Sequence, residues 1–301
     1  MEFFFQQLTN GLAVGGIYAL IALGYTMVYG VLKLINFAHG DLFMIGAYLG
    51  LTLLTAFGLA DYLGPFGVIA VLAVMVLMLV AILGVLLERI AYKPLRQAHR
   101  LSAVVSALGA SIFFQNIVMV IYGAKFRVYP HDLLPRTVLH VFGMPIPLIR
   151  ILILLASVLM MVALYAFIQR TKVGTAIRAA AIDQGAARLM GINVDRVIAL
   201  VFVIGPALGG AAGLMVGIYY GQINFTMGWI YGLKAFTAAI LGGIGNIPGA
   251  MVGGLLLGVI EALAAAYLSV AWKDAFAFCV LILILIARPT GLLGERVAEK
   301  V

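Results

Sequence analysis

Long stretches without a charged side chain constrain this chain more than any other feature of its sequence. Each has at least 19 residues, and together they cover positions 3–32, 42–60, 62–87, 101–124, 151–169, 197–233 and 235–260. About 20 apolar residues suffice to cross a bilayer as a helix. The stretches are continuous, whereas the strands of a membrane β-barrel alternate apolar and polar residues over about ten positions. The sequence therefore predicts an all-α polytopic membrane protein.

The overall composition agrees with membrane insertion. Hydrophobic residues make up 65% of the chain and charged residues 10%, whereas about a quarter of the residues are charged in soluble domains. No basic residue precedes Lys33, so the N-terminal segment is predicted as a span and not as a cleaved signal. We predict a single transmembrane domain over residues 1–301 with eight or nine helices. They lie near 11–32, 42–60, 66–88, 102–123, 148–168, 197–219, 230–244, 249–268 and 274–288.

The net charge is +8, and the Lys and Arg residues that cause it lie mainly in short loops beside apolar segments. This is the positive-inside pattern of membrane proteins, so we expect contact with lipid and no nucleic-acid partner. The three basic segments are residues 89–100, residues 170–196 and a C-terminal tail with Arg288, Arg296 and Lys300. We expect all three in the cytoplasm. An even number of helices separates the first two, so the connection 122–147 is expected outside.

A polar break between two apolar segments occurs twice. The first runs from Ile35 to Asp41 and the second begins at Ile223. Five of thirteen residues are identical between positions 35–47 and 223–235. The basic loops place the first break toward the cytoplasm and the second toward the outside. This predicts an inverted repeat whose broken helices meet near the middle of the membrane. Two alternatives are unrelated loops that share three residues, and a first break that merely dips into the membrane, which would lower the helix count by one.

The breaks supply candidate residues for a translocation path. They are Asn36, Phe37, His39, Gly40 and Asp41 in the first break, and Asn224, Phe225 and Gly228 in the second. Ionisable groups at membrane depth are functional candidates, but Asp41 equally suits a helix N-terminus. The two asparagines can satisfy backbone groups freed by the break, which we favour, or face a substrate. The two phenylalanines can narrow a pore or pack in the core.

Two further patterns lie within the apolar segments. Glycine recurs at every fourth position from Gly205 to Gly221, and such a stripe lets helices approach closely. We expect these contacts inside the chain, and a dimer interface is the alternative. Lys234 and Glu261 lie at similar distances from the turn near Asn246, so they can form an ion pair. The competing interpretation is that Lys234 snorkels to the outer interface.

The basic segment 170–196 is rich in alanine and ends with a turn signal at Gly191. A short helix with small side chains suits docking into a groove of a partner protein, and a plain surface helix is the alternative. The chain has no phosphate-binding loop of the form G-x-x-x-x-G-K-[ST], no H-E-x-x-H pattern and no acidic cluster for Mg²⁺ or another metal. We therefore predict neither an enzyme nor a metal or cofactor site in this chain.

The sequence resembles the permease subunits of bacterial branched-chain amino-acid ABC importers, of the H type found in high-affinity leucine, isoleucine and valine systems. The resemblance covers nearly the whole length and is most specific from Gly24 to Asp41, at Gly46-Ala47-Tyr48, and in the loop 170–196. In the loop it implies that Gly174, Arg178, Asp183, Ala187, Gly191 and Ile192 couple the permease to an ATPase. One departure is that Gly185 replaces the glutamate of the usual Glu-Ala-Ala coupling triplet.

The resemblance implies import of Leu, Ile and Val across the bacterial inner membrane. The implied partners are a second related permease, two ATP-binding subunits that hold ATP and Mg²⁺, and a periplasmic binding protein. A stand-alone channel or facilitator for a small polar or amphipathic solute is the alternative from another class. An intramembrane enzyme is the third, but His39 and Asp41 alone are too few groups for a catalytic site.

Overall fold

The computed structural model describes residues 2–57, 64–96, 98–130, 138–141 and 144–294. Helices dominate this part of the chain, and a π-helical turn, Glu88–Tyr92, follows the third of them. The helices are α1 Glu2–Leu32, α2 His39–Phe57, α3 Pro65–Leu87, α4 Arg100–Tyr122, α5 Leu148–Arg170, α6 Lys172–Ile182, α7 Gln184–Leu189, α8 Val194–Tyr220, α9 Met227–Gly242, α10 Ile247–Tyr267 and α11 Lys273–Ala287. The tail residues Arg296 and Lys300 and parts of the predicted external connection, 131–137 and 142–143, lie outside the described residues.

In the described part of the chain, each of the nine predicted segments contains a helix, while the count of eight or nine membrane-spanning helices stays a prediction. Seven helices of the described chain are long and apolar enough to cross a membrane. The other two apolar helices, α9 and α11, have 16 and 15 residues. The predicted all-α polytopic membrane protein is therefore confirmed.

Four short strands depart from the all-α expectation. β1 Arg127–Val128 pairs with β4 Gln222–Ile223, and β2 Val138–Val141 pairs with β3 Met144–Pro147. The two pairs provide hydrogen-bond partners for backbone groups that lie between the helices.

α1 lies at the centre of the bundle. Of its most apolar 18-residue window, 94% is buried inside the chain, against 17% for α4. The helices α3, α4 and α5 carry exposed apolar side chains such as Met78, Val120 and Leu159. An apolar exposed surface on a membrane helix suits lipid or a partner helix.

Glycines let α1, α2, α8 and α10 approach one another at backbone distance. A Cβ on Gly213 of α8 would overlap the Phe43 carbonyl of α2 and lie 2.9 Å from the Ala47 nitrogen. A Cβ on Gly258 of α10 would overlap Gly15 of α1. These contacts confirm that the glycine stripes pack helices within the chain.

The contacts along the helices give their directions. Gly205 of α8 lies beside Gly24 of α1, and the Tyr219 hydroxyl near the other end of α8 donates to Asn10 near the start of α1. These two helices are antiparallel. The first break, 33–38, follows the α1 terminus at the bundle end that carries the basic loops, which we call the basic end. The second break, 221–226, lies at the opposite end beside β1.

Candidate functional site

The first break brings the chain back into the interior of the bundle. α1 ends at Leu32, yet the His39 ring at the start of α2 lies 3.2 Å from the Ile21 carbonyl of α1. Eleven residues separate Ile21 from Leu32, which is about 16 Å along a helix. The helix α2 therefore begins deep inside the bundle and not at its surface.

The second break does the same from the opposite end. α9 begins at Met227, and its second residue, Gly228, lies against Gly40. The Tyr231 ring one turn later lies 5.1 Å from the Phe43 ring of α2. The first turns of α2 and α9 therefore cross in the interior.

The crossing is a backbone contact that glycine alone permits. A Cβ on Gly40 would overlap the Gly228 carbonyl oxygen and lie 2.9 Å from the Gly232 Cα. A Cβ on Gly228 would lie 2.7 Å from the Gly40 carbonyl oxygen. The two glycines at equivalent positions of the repeated motif thus meet each other directly.

A small cavity of about 40 Å³ lies beside the crossing. The first break, α1 and α9 contribute to its wall, which is lined by Tyr25, Ile35, Phe37, Gly228, Trp229, Gly232, Leu233 and Phe236. Phe37 and Gly228 were predicted path residues, whereas the aromatic residues Tyr25, Trp229 and Phe236 were missed. Trp229 and Leu233 are about half exposed, so the cavity opens toward the uncovered face of α9.

The other candidates of the first break are buried in packing. The Asn36 Oδ1 accepts a 2.9 Å hydrogen bond from the Tyr92 hydroxyl, and the Asp41 Oδ1 accepts one of 3.0 Å from Gln115 of α4. His39 is fully buried between glycines of α1 and α8, and its ring lies 4.8 Å from that of Tyr25. These side chains hold the start of α2 in place.

In the second break, the Asn224 carbonyl accepts from the Met227 nitrogen at 3.3 Å. Its side-chain oxygen accepts from the Thr226 hydroxyl at 3.2 Å. Both asparagine side chains therefore bond to other side chains, whereas we had expected them to bond to freed backbone groups. Phe225 is half-buried against the core. The assignment of these residues to a translocation path stays a prediction.

The second break is held by residues 127–129, part of the connection that was predicted to lie outside. Besides the β1–β4 pair, the Tyr129 nitrogen donates to the Gly221 carbonyl at 2.9 Å. The Tyr129 hydroxyl, which is buried, donates to the Ala47 carbonyl of α2. Burial raises the pKa of this hydroxyl, so it stays a protonated donor at physiological pH.

Lys234 and Glu261 form the predicted ion pair, with 2.7 Å between Nζ and Oε1. Glu261 also accepts from the Tyr18 hydroxyl at 2.7 Å. Two residues that sequence reasoning missed complete a neutral group of four charges: Asp274 lies 2.7 Å from Lys234, and Lys273 lies 3.1 Å from Glu261. The group joins α9, α10 and the start of α11.

The basic loop 170–196 folds as two helices, and one was expected. Asp183 ends α6 and caps α7, because its carboxylate accepts from the Gly185 and Ala186 nitrogens at 2.7 and 3.0 Å. A side chain that binds backbone donors in this way favours a new helix start over continuation of the old helix.

The predicted coupling residues mostly build this loop. Gly174 lies against the Ile168 carbonyl, which also accepts from Arg178. Ala187 is buried. Gly191 has a φ of 80°, and the next residue, Ile192, donates to the Ala187 carbonyl at 3.0 Å. Their coupling role stays a prediction.

Three large apolar side chains of the loop point into solvent instead. Ile182 is 87% exposed, Leu189 is 90% and Met190 is 82%. Such large exposed apolar side chains were not among the residues predicted to couple the loop to a partner. Sequence reasoning missed them because it followed the small residues of the loop.

The comparison with protein families gives one match over most of the chain. A model of the family described as "Branched-chain amino acid transport system / permease component" matches residues 7–285. The matched range includes both breaks and the loop between them.

Curated relatives match over nearly the full length. The "High-affinity branched-chain amino acid transport system permease protein LivH" of Salmonella typhimurium and that of Escherichia coli are each 45% identical over 302 residues, with 99% of this chain and 98% of the relative covered. The BraD protein of Pseudomonas aeruginosa, with the same description, is 48% identical over 305 residues, with equal coverage. No solved structure matches in the corresponding comparison. The chain belongs to the family of branched-chain amino acid transport permease components.

Proposed function

We propose that this chain is the membrane-spanning permease subunit of an ABC importer that carries leucine, isoleucine and valine across the bacterial inner membrane. The single observation that carries the proposal is the crossing of two broken helices at Gly40 and Gly228 inside the bundle. A backbone break at membrane depth is tolerated where it is buried in protein or lines a passage. In a chain of this family, the crossing is the candidate point of passage.

The two broken segments form an inverted repeat. This proposal is supported by the antiparallel course of α1 and α8, by the opposite ends from which the breaks enter, and by the contact of equivalent glycines. The wall of the cavity at the crossing is almost entirely aromatic and aliphatic, which suits passage of an amino acid with an apolar side chain.

The basic end faces the cytoplasm, and so does the C-terminus, because basic loops favour that side. All nine apolar helices contribute to the membrane domain, and the shorter α9 fits because it begins inside the bundle. The loop 170–196 is the ATPase coupling loop. Its exposed Ile182, Leu189 and Met190 supply the apolar surface that enters the groove of a partner ATPase.

The transporter is a complex of several chains. A second related permease completes the membrane domain, and two ATPase subunits bind the loops and hold ATP and Mg²⁺. A periplasmic binding protein delivers the amino acid on the opposite side. This subunit needs no cofactor of its own, since the hydrolysis takes place on the partners.

The test is ATP-driven uptake in vesicles. The chain is purified with the second permease, the ATPases and the binding protein of its own source and reconstituted, and labelled leucine is followed with ATP on the ATPase side. Accumulation that requires both ATP and the binding protein is expected. Absence of uptake of any apolar amino acid contradicts the proposal, and equal flux through the chain alone without ATP identifies a facilitator instead.

A further inference from the structure

The end of α1 that leads into the first break is capped by the basic loop. The last four carbonyls of a helix have no partner within the helix, and the Val31 carbonyl is one of them. The Gln184 side-chain amide, at the start of α7, donates to this carbonyl at 2.7 Å. Val31 is buried and Gln184 half-buried, so this bond is shielded from water on the side of the helix.

Lys33, two residues after Val31, has a strained backbone. Lys33 has a φ of 54° and is the one residue other than glycine with a positive φ in the described part of the chain. A side chain in this left-handed region persists when surrounding contacts fix it, and such residues cluster at switch segments. The Gln184 contact is therefore well placed to maintain the conformation with which the chain enters the break.

A second bond reaches the break from the basic end. Tyr92, the last residue of the π-helical turn, donates to Asn36. Arg96 follows this turn and pairs with Glu88 within it and with Asp195 in the first turn of α8. Asp195 lies at the end of the loop 170–196. π-helical turns are frequent at functional sites, and this one connects the end of the loop to the break.

The second break has its contacts at the other end. Arg127 faces Ile223 in the β1–β4 pair, and Tyr129 bonds to Gly221. Each break is therefore fixed by a segment from its own side of the bundle, the first by the basic loop and the second by the external connection.

We propose that the two breaks are controlled separately from the two sides of the membrane, with Gln184 and Tyr92 as the positioning residues through which the coupling loop moves the first break. The inference rests on the proposed function, since it requires that ATP hydrolysis on the partner ATPases moves the loop. The external segment with Tyr129 sets the second break in response to the periplasmic binding protein.

The experiment follows the two breaks separately in the reconstituted complex. In a Cys279→Ser background, Phe37→Cys reports on the first break and Phe225→Cys on the second, each through its rate of reaction with a small thiol reagent with and without ATP and Mg²⁺. Gln184→Leu removes the donor at similar size, whereas Gln184→Lys keeps a donor. Tyr92→Phe removes a single oxygen and serves as the independent second variant. Leucine uptake is measured in the same vesicles.

In Gln184→Leu and in Tyr92→Phe, the ATP-dependent change in labelling at Phe37→Cys is expected to fall by about fivefold, the factor that corresponds to one hydrogen bond. The labelling rate at Phe225→Cys, with and without ATP, should equal the parent's in both variants, and Gln184→Lys should behave like the parent. An unchanged response at Phe37→Cys, or an equal loss at both reporters, overturns the inference. A parent complex without ATP-driven uptake overturns the proposed function instead, and the inference with it.

Discussion

Gly40→Ala is expected to lower ATP-driven uptake by at least about fivefold and to lower the thermal stability of the purified chain. The new Cβ would overlap the Gly228 carbonyl and lie 2.9 Å from the Gly232 Cα. Backbone atoms cannot rotate away as a flexible side chain can, so α2 and α9 must move apart. Overpacking of this kind costs about 1–3 kcal/mol, and each 1.4 kcal/mol corresponds to a factor of about ten.

Gly109→Ala is the matched control, because it makes the same chemical change in the helix α4. A Cβ on Gly109 meets no atom within 4 Å, and alanine is the better helix former by about 0.8–1 kcal/mol. This variant should keep or raise the unfolding temperature and keep the parent's uptake. A Gly40→Ala variant with the parent's unfolding temperature and uptake contradicts the crossing of α2 and α9.

Lys234→Met is expected to lower the free energy of unfolding by about 3 kcal/mol, measured by denaturant titration in detergent. The Glu261 side chain is only 8% exposed, and a buried charge that loses its partner costs about 3–5 kcal/mol. The lower end of that range applies because Lys273 remains 3.1 Å from Glu261.

The double variant Lys234→Met, Glu261→Gln tests the cause. It removes one charge of each sign, keeps an acceptor for the Tyr18 hydroxyl, and leaves Lys273 with Asp274. At least half of the lost stability should return. A loss below about 1 kcal/mol in the single variant, as for exposed ion pairs, contradicts a buried charge group.

The positions of the helices were predictable because uncharged length alone decides what can cross a membrane. α2, for example, begins at His39 and was predicted from residue 42. α1 was predicted from residue 11 and begins at Glu2, since nothing in an uncharged run marks where a helix starts. The pairing of Lys234 with Glu261 was predictable because both lie at similar distances from one turn.

The contacts that organise the breaks were not predictable from the sequence. Tyr92 and Asn36 are 56 positions apart, and Gln184 and Val31 are 153 apart. No local pattern encodes such pairs, because each depends on how whole helices pack. In the loop 170–196, small residues such as Gly174 and Ala187 are packed inside the chain. The side chains that the loop exposes, Ile182, Leu189 and Met190, would pass for core residues in any sequence of this composition.

We propose that the passage opens at the crossing of the two broken helices, and a cross-link across the cavity tests this most directly. Phe37 of the first break and Trp229 of α9, which follows the second break, line the same cavity. In a Cys279→Ser background, Phe37→Cys and Trp229→Cys are joined by a short thiol-cleavable bismaleimide, with each single-cysteine variant treated in parallel. We expect the cross-linked complex to lose the ATP-driven leucine uptake that it has before treatment and to regain it when the linker is cleaved. Treatment should leave the uptake of each single-cysteine variant unchanged. Full uptake by the cross-linked complex would place the passage elsewhere and contradict the claim.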